Sequence, residues 1–446
     1  MKAFSVLAAL LLLFPSICLA QDKIVSLKEA IQLSLSRNNL LKASEQQEVA
    51  AWHAVSASRS RYYPRIFLDE NFSASNAPTR VFMMKLDQGR FTGNDFQIDR
   101  LNHPAATGDF RTTFSLEQPI FDLGLLLGTD LLIKDSEGQN LALQQRREDV
   151  AFAVYSAYLE GQKARAMLVA AEQAVRDAEE HRRLARVRSE TGVGLKSDEL
   201  RAGTFLAEIE QQQITARNNV VLAGMRLGLV TGAPAEENLE ISESLSGRTL
   251  GGEKENFVAL ALANRKDLQE LAKAAEKAQV GVKLAGSAFL PTLHGTAGYQ
   301  MNDRDLPFGR DNDSWVAGVN LRWELFDGFR RCDERARARS LENSARETLA
   351  YQQREVAFQV RESLLRLDEA EKRRSVARSA LADAEESARL VSKRFANSLA
   401  TLVDVFDAQT AVNRARAAAV ETDAGYALAT ALVWYRAGIF LQEVMK

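Results

Sequence analysis

Between Arg330 and Phe395 the chain carries neither proline nor glycine. A proline would break a helix there, and each glycine would cost it about 1 kcal/mol relative to alanine. The stretch therefore reads as one helix, roughly 100 Å long at about 1.5 Å per residue. A turn follows, Ala396-Asn397-Ser398-Leu399-Ala400-Thr401, and a second helix returns as far as Gly438. A helix of that length cannot bury its apolar stripe in one small core, so neighbouring helices must cover it. Val150, Val154 and Tyr158, then Val356, Val360 and Leu364, recur at the required spacing.

The same order of signals occurs twice. In the first half a helix ends at Tyr62-Tyr63-Pro64. Ile66, Leu68, Phe72 and Ala74 then alternate with Asp69, Asn71, Ser73 and Ser75, and Glu70 breaks the apolar face. Residues 77–109 read as a long irregular loop. A second alternating run, Phe110 to Ile120, leads through Phe121-Asp122-Leu123-Gly124 into a long helix. That helix turns at Thr191-Gly192-Val193-Gly194-Leu195-Lys196-Ser197. In the second half Pro291 answers Pro64, Phe326-Asp327 answers Phe121-Asp122, and Ser398, Asp404, Ala408 and Gly438 answer Gly192, Asp198, Ala202 and Gly232. Register kept across turns points to a duplication rather than to chance likeness between helices. The expected organisation is a leader (1–20), a first repeat (21–231) and a connector (232–252), then a second repeat (253–438) and a C-terminal tail (439–446). The strands are expected at about 65–76, 110–121, 292–302 and 314–326, and the helix-hairpin tips at 191–198 and 396–402.

Met1 to Ala20 has the form of a secretory leader: Lys2, a short apolar run from Val6 to Phe14, then Cys18-Leu19-Ala20. That apolar run is too short to span a bilayer, and no later run approaches about 18 residues. An exported chain without a spanning helix is either soluble or a β-barrel. Each strand is of a length that suits a tilted membrane strand, and Trp315 and Trp323 stand where aromatic girdles would lie. Four strands cannot close a barrel; three copies would supply twelve.

Other classes fit poorly. The net charge of −2 offers no case for nucleic-acid binding. The four histidines are scattered, so neither a metal site nor a metal-dependent enzyme is expected. No phosphate loop, dinucleotide fingerprint or nucleophile elbow appears, and no cofactor is expected. Outside the leader the one thiol is Cys332, which cannot form an internal disulfide. A soluble periplasmic scaffold with a helical hairpin remains the alternative, against which the four amphipathic strands argue.

The chain resembles the TolC-like outer-membrane efflux proteins. The resemblance is carried by Leu27, Glu29, Ala30 and Leu33, by Pro64, and by Gln118-Pro119-Ile120-Phe121-Asp122-Leu123-Gly124. In the second half it is carried by Leu290-Pro291-Thr292-Leu293, Trp323-Glu324-Leu325-Phe326-Asp327-Gly328, Arg394-Phe395, Asp404 and Asp407-Ala408-Gln409. It implies a mostly α protein with membrane β: a homotrimer whose protomers share a twelve-stranded barrel in the outer membrane and an α-helical barrel in the periplasm. Much of the apolar helix surface would then be covered only in the trimer. It also implies two partners, a periplasmic adaptor and the inner-membrane transporter that adaptor serves. Gly192, Val193, Gly194, Leu195 and Ser197, with Ser398, Leu399 and Thr401, are the positions matching adaptor-contacting tips. Residues 77–109 would face the cell exterior.

Asp404 and Asp407 lie three apart and share a helix face. The resemblance makes them stacked carboxylate rings at a pore constriction, which would favour cations. The plainer reading is a pair of acids suiting the positive end of a helix. Phe395 and Ala400 stand where some relatives carry polar residues that lock the closed state, so a less firmly locked gate is expected.

Overall fold

A computed structural model describes residues 23–234, 239–245, 250 and 256–446. The expected leader lies outside them. In chain order the elements are β1 (Lys23–Val25), α1 (Leu27–Arg37), α2 (Asn39–Arg59), β2 (Arg65–Ser75), α3 (Pro78–Asp87), α4 (Ile98–Asn102), β3 (Thr107–Phe121), α5 (Leu123–Glu190), α6 (Lys196–Thr231) and β4 (Leu239–Ile241). Then follow α7 (Phe257–Asn264), α8 (Lys266–Ser287), β5 (Thr292–Asp303), β6 (Asn312–Arg322), α9 (Arg330–Ala396), α10 (Leu402–Arg436) and α11 (Phe440–Val444). Helix α5 has 68 residues and α9 has 67. No helix among the described residues is long and apolar enough to cross a membrane.

Two compact units make up the chain. One combines the residues up to Ser44 with Leu143–Lys266 and Gln353–Lys446; the other combines Glu45–Ala142 with Asp267–Gln352.

In the first unit a core is built from Val25, Ile31, Val154, Tyr158, Leu227, Ile241, Val356, Val360, Trp434 and Phe440. Ser26 starts α1 with a capping box: its hydroxyl accepts the Glu29 N–H, and the Glu29 carboxylate accepts the Ser26 N–H at 2.8 Å. Strand β1 pairs in parallel with β4, so the expected connector 232–252 contains a strand that seals this core. A three-residue strand is too short to show a period, which is why it reads as linker. Gly161 makes room for it, because a Cβ there would lie 2.0 Å from the Ile241 Cδ1.

Residues 439–446, expected as a C-terminal tail, contain α11. Helix α11 is docked, with Phe440 and Val444 buried and Phe440 set edge-on to Phe152 and Tyr155. Glu148 accepts the Leu441 N–H at 3.1 Å, and the Tyr435 hydroxyl donates to Asp149 at 2.8 Å.

The second unit holds an antiparallel sheet in the order β2-β3-β5-β6. Its register sorts the side chains by face. One row runs Leu68, Phe114, Tyr299, Trp315 and the next Ile66, Leu116, Ala297, Ala317. The opposite face carries Asp69, Thr113, Gln300, Ser314 and Asn71, Arg111, Asn302, Asn312. The apolar face is open: Ile66 is 71% exposed and Trp315 77%. Strands β2 and β6 are edges without a partner among the described residues.

Strand β6 ends at Arg322, short of the expected 326. Its last partner is Thr292, which follows Pro291, and a proline has no N–H to extend a ladder. Arg331 holds the junction that follows. It bonds Asp327 at 2.9 Å and the carbonyls of Glu324 and Ala288 at 2.6 and 3.2 Å. The region 77–109, read as an irregular loop, contains α3, a 3-10 turn and α4. Pro78 occupies the first turn of α3, where its missing N–H costs nothing.

Phe440→Ala should lower the stability of the first unit by about 3–5 kcal/mol, the usual cost of emptying a buried aromatic site. Thermal unfolding followed by circular dichroism checks this, and an unchanged midpoint would mean α11 is not part of the core.

Candidate functional site

The two helix-hairpin tips share one turn geometry. At the first, the N–H groups of Val193 and Gly194 both donate to the Arg188 carbonyl, at 3.0 and 2.8 Å. At the second, the Leu399 N–H donates to the Arg394 carbonyl at 2.8 Å. Gly192 adopts φ +75° and Ser398 adopts φ +60°. The left-handed conformation costs a non-glycine residue about 1–2 kcal/mol, so Ser398 has to be held in place.

Arg188 does the holding. Its Nη1 donates to the Phe395 carbonyl at 2.9 Å and its Nη2 to the Ser398 hydroxyl at 3.1 Å. The guanidinium lies 4.6 Å from the Phe395 ring centroid, a cation–π distance. One residue at the end of α5 thus clasps the α9–α10 turn. The sequence reading missed it, because Arg188 sits among Arg182, Arg183 and Arg186 and looks like another solvated charge. Within the chain, the Phe395 carbonyl and ring both hold Arg188.

Beneath the clasp, Ala185, Ala202, Leu402 and Phe406 form a small buried cluster, and Phe205 stacks on Phe406 at 4.6 Å. Further along, Asp177 of α5 accepts from Gln409 and Arg416 of α10, both at 3.0 Å. Arg416 also donates to Glu385 of α9 at 3.2 Å. Three helices are tied at that one arginine.

The expected tip residues are mostly bare. Val193, Leu195 and Leu399 are each 67% exposed, and Gly192, Ser197, Ser398 and Thr401 are exposed with them. Gly194 is half-buried against Arg188. Apolar side chains held in water at a turn are available to a partner surface.

Asp404 and Asp407 both lie on the exposed face of α10, opposite Leu402, Val405 and Phe406. They differ in their ties. Asp404 is the acid of a capping box: its Oδ2 accepts the Thr401 N–H and hydroxyl, both at 2.7 Å. The Asp407 carboxylate makes no hydrogen bond or ion pair among the described residues. The Thr401 N–H, then its hydroxyl, then the charge of Arg394 hold the Asp404 carboxyl below its usual range. A depressed acid stabilises the fold above its unfolded-state pKa, and that support is lost as pH falls through the lower folded value. Asp404 is thus an exposed carboxylate and the acid of a helix cap.

Trp315 stands on the apolar sheet face within β6. Trp323 lies one residue past the strand, 55% exposed, with its indole N–H donating to the Phe289 carbonyl at 3.1 Å. No cluster of metal-ligating side chains occurs among the described residues.

A family model described as "Outer membrane efflux protein" matches residues 30–233 and again 257–433. The fold is similar to that of the Campylobacter jejuni CmeC outer membrane channel, with a TM-score of 0.79 and 16% identity over 93% of this chain and 86% of that one. It is similar to the outer membrane protein VceC from Vibrio cholerae, with a TM-score of 0.76 and 16% identity over 92% and 96%. It is similar also to the open state of the Neisseria gonorrhoeae MtrE outer membrane channel, with a TM-score of 0.77 and 14% identity over 93% and 89%. No curated protein matches the chain.

Arg188→Ala should speed amide hydrogen exchange at residues 396–400 by roughly tenfold while leaving the α11 region unchanged. Exchange equal to that of the parent would show that the turn holds itself.

Proposed function

We propose that this chain, which belongs to the outer membrane efflux protein family, is the exit duct of a tripartite efflux or type I secretion assembly. It is an outer-membrane protein with an efflux role, and that membership sets aside the soluble scaffold. The trimer, the shared barrel and the partners are the further reading. One observation carries it: a four-stranded sheet with one exposed apolar face, one polar face and, among the described residues, two unpaired edges. In a bilayer each unpaired backbone group costs several kcal/mol, so such a sheet needs closure by other copies. Three copies give twelve strands, an even number within the range of outer-membrane barrels. The polar face would then line water, and the apolar face with Trp315 would meet lipid.

Strands β3 and β6 pass into α5 and α9, which would carry the duct across the periplasm. The exposed Val193, Leu195 and Leu399 at the tips would be the apolar contacts for an adaptor. In the trimer, Asp404 and Asp407 would form two rings of carboxylates at the periplasmic entrance. Asp404 would be fixed by its cap, while Asp407 would be free to meet a cation. Such rings attract cations and repel anions. Arg188 would hold the second hairpin tip against the first in each protomer. The chain carries no phosphate loop, so the driving energy would come from the inner-membrane partner.

Conductance of the mature protein in a planar bilayer tests this. The parent should give small, cation-selective channels, and Asp404→Ala/Asp407→Ala should lose the selectivity. A channel whose selectivity ignores both substitutions would keep the duct and move its constriction elsewhere. Absence of any channel would sink the duct.

A further inference from the structure

We infer that the segment between β2 and β3 folds inward as a cap on the polar face of the sheet, narrows the outer mouth of the duct, and limits its cargo to small molecules. The inference rests on the barrel reading, in which the polar face lines the lumen.

The placement comes from a buried polar cluster. Asp109, Gln88 and Asn302 are 1%, 1% and 2% exposed. Asp109 and Asn302 lie on the polar face by register, in neighbouring rows. The Asp109 carboxylate accepts the Gln88 amide at 3.0 Å and the Asn302 amide at 3.0 Å on each oxygen. Gln88, just past the end of α3, also donates to the Gly108 carbonyl at 2.8 Å. Arg111 and Asn312, from that same face, reach Asp87: the guanidinium lies 3.4 Å from its carboxylate and the amide 3.1 Å from its carbonyl. A buried carboxylate stripped of these donors would be costly, so the cluster holds α3 firmly.

The rest of the cap is folded as well. Val81 and Met84 of α3 are buried. Phe91 packs edge-on against Phe82 and Phe96, at 4.7 and 5.0 Å. Lys85 pairs with Asp95 at 2.7 Å. Arg90 reaches Asp311 in the β5–β6 connection at 3.4 Å, which ties the cap to the neighbouring loop. On the apolar face at the same end, Phe72 is 58% exposed. The cap therefore covers one face, and it is the face that would line water.

Orientation follows from connectivity. The β2–β3 and β5–β6 connections lie at one end of the sheet, and at the other end all four strands pass into the helices. If the helices cross the periplasm, the capped end is the outer mouth. Three caps would enter it together. A narrowed, pinned mouth passes ions and small organic molecules and obstructs a polypeptide.

The test uses thiol labelling in intact outer membranes. Ser115, on the polar face deeper than the cap, is replaced by cysteine in a chain carrying Cys332→Ser. Two membrane-impermeant maleimides are applied from outside, one small and sulfonated, one on a polyethylene glycol chain. The small reagent should label S115C readily and the large one about tenfold more slowly, as a steric filter requires. Adding Asp109→Ala should bring the two rates together, and replacing residues 78–102 with a short Gly/Ser turn should do the same. Equal rates in the starting chain would overturn the cap as a filter and leave the barrel standing. A size difference that survives both cap variants would also overturn it. No labelling by the small reagent would mean that the polar face lines no open lumen, and the duct reading would fall with the inference.

Discussion

Two unpaired sheet edges set the terms for everything else in this molecule. Strands β2 and β6 each present a row of backbone donors and acceptors with no partner among the described residues. Water could satisfy them, but the exposed face between them, with Ile66, Leu68, Phe114, Val319 and Leu321, is unsuited to water. Lipid suits that face and leaves the edges unsatisfied. Closure by further copies resolves both problems at once. The proposed trimer follows from this conflict more directly than from any single motif.

The tips illustrate how one turn can be held in two ways. The bond from Val193 to Arg188 recurs from Leu399 to Arg394, and the left-handed residue recurs as Gly192 and Ser398. Glycine takes that conformation freely, whereas serine needs support. Arg188 supplies it through the Ser398 hydroxyl and the Phe395 carbonyl and ring. The first tip thus takes the conformation with glycine, and the second is tied to the first as well as to its own helix.

The sequence makes some of this legible and hides the rest, for physical reasons. The long helices show because a break in them would need proline or glycine, and α9 contains neither. The sheet faces show because alternation has a period of two, and Leu68, Phe114, Tyr299 and Trp315 do lie in one row. Short elements escape: β4 has three residues and α11 has five, too few for any period, although both seal the core of the first unit. The cap escapes for a different reason. Its anchor joins Gln88, Asp109 and Asn302, which are distant in sequence and look individually like ordinary surface residues. The cap of Asp404 is legible too, since Thr401 three residues before it repeats the spacing of Ser26 and Glu29, but that spacing does not say whether the acid also faces a pore.

The mass of the purified protein, measured by light scattering in detergent and again after detergent removal, tests the central claim most directly. The account predicts three copies per particle in detergent and precipitation without it, because the apolar sheet face needs lipid or a substitute. A single chain that stays soluble in water would contradict it, since the open edges would then need no closure.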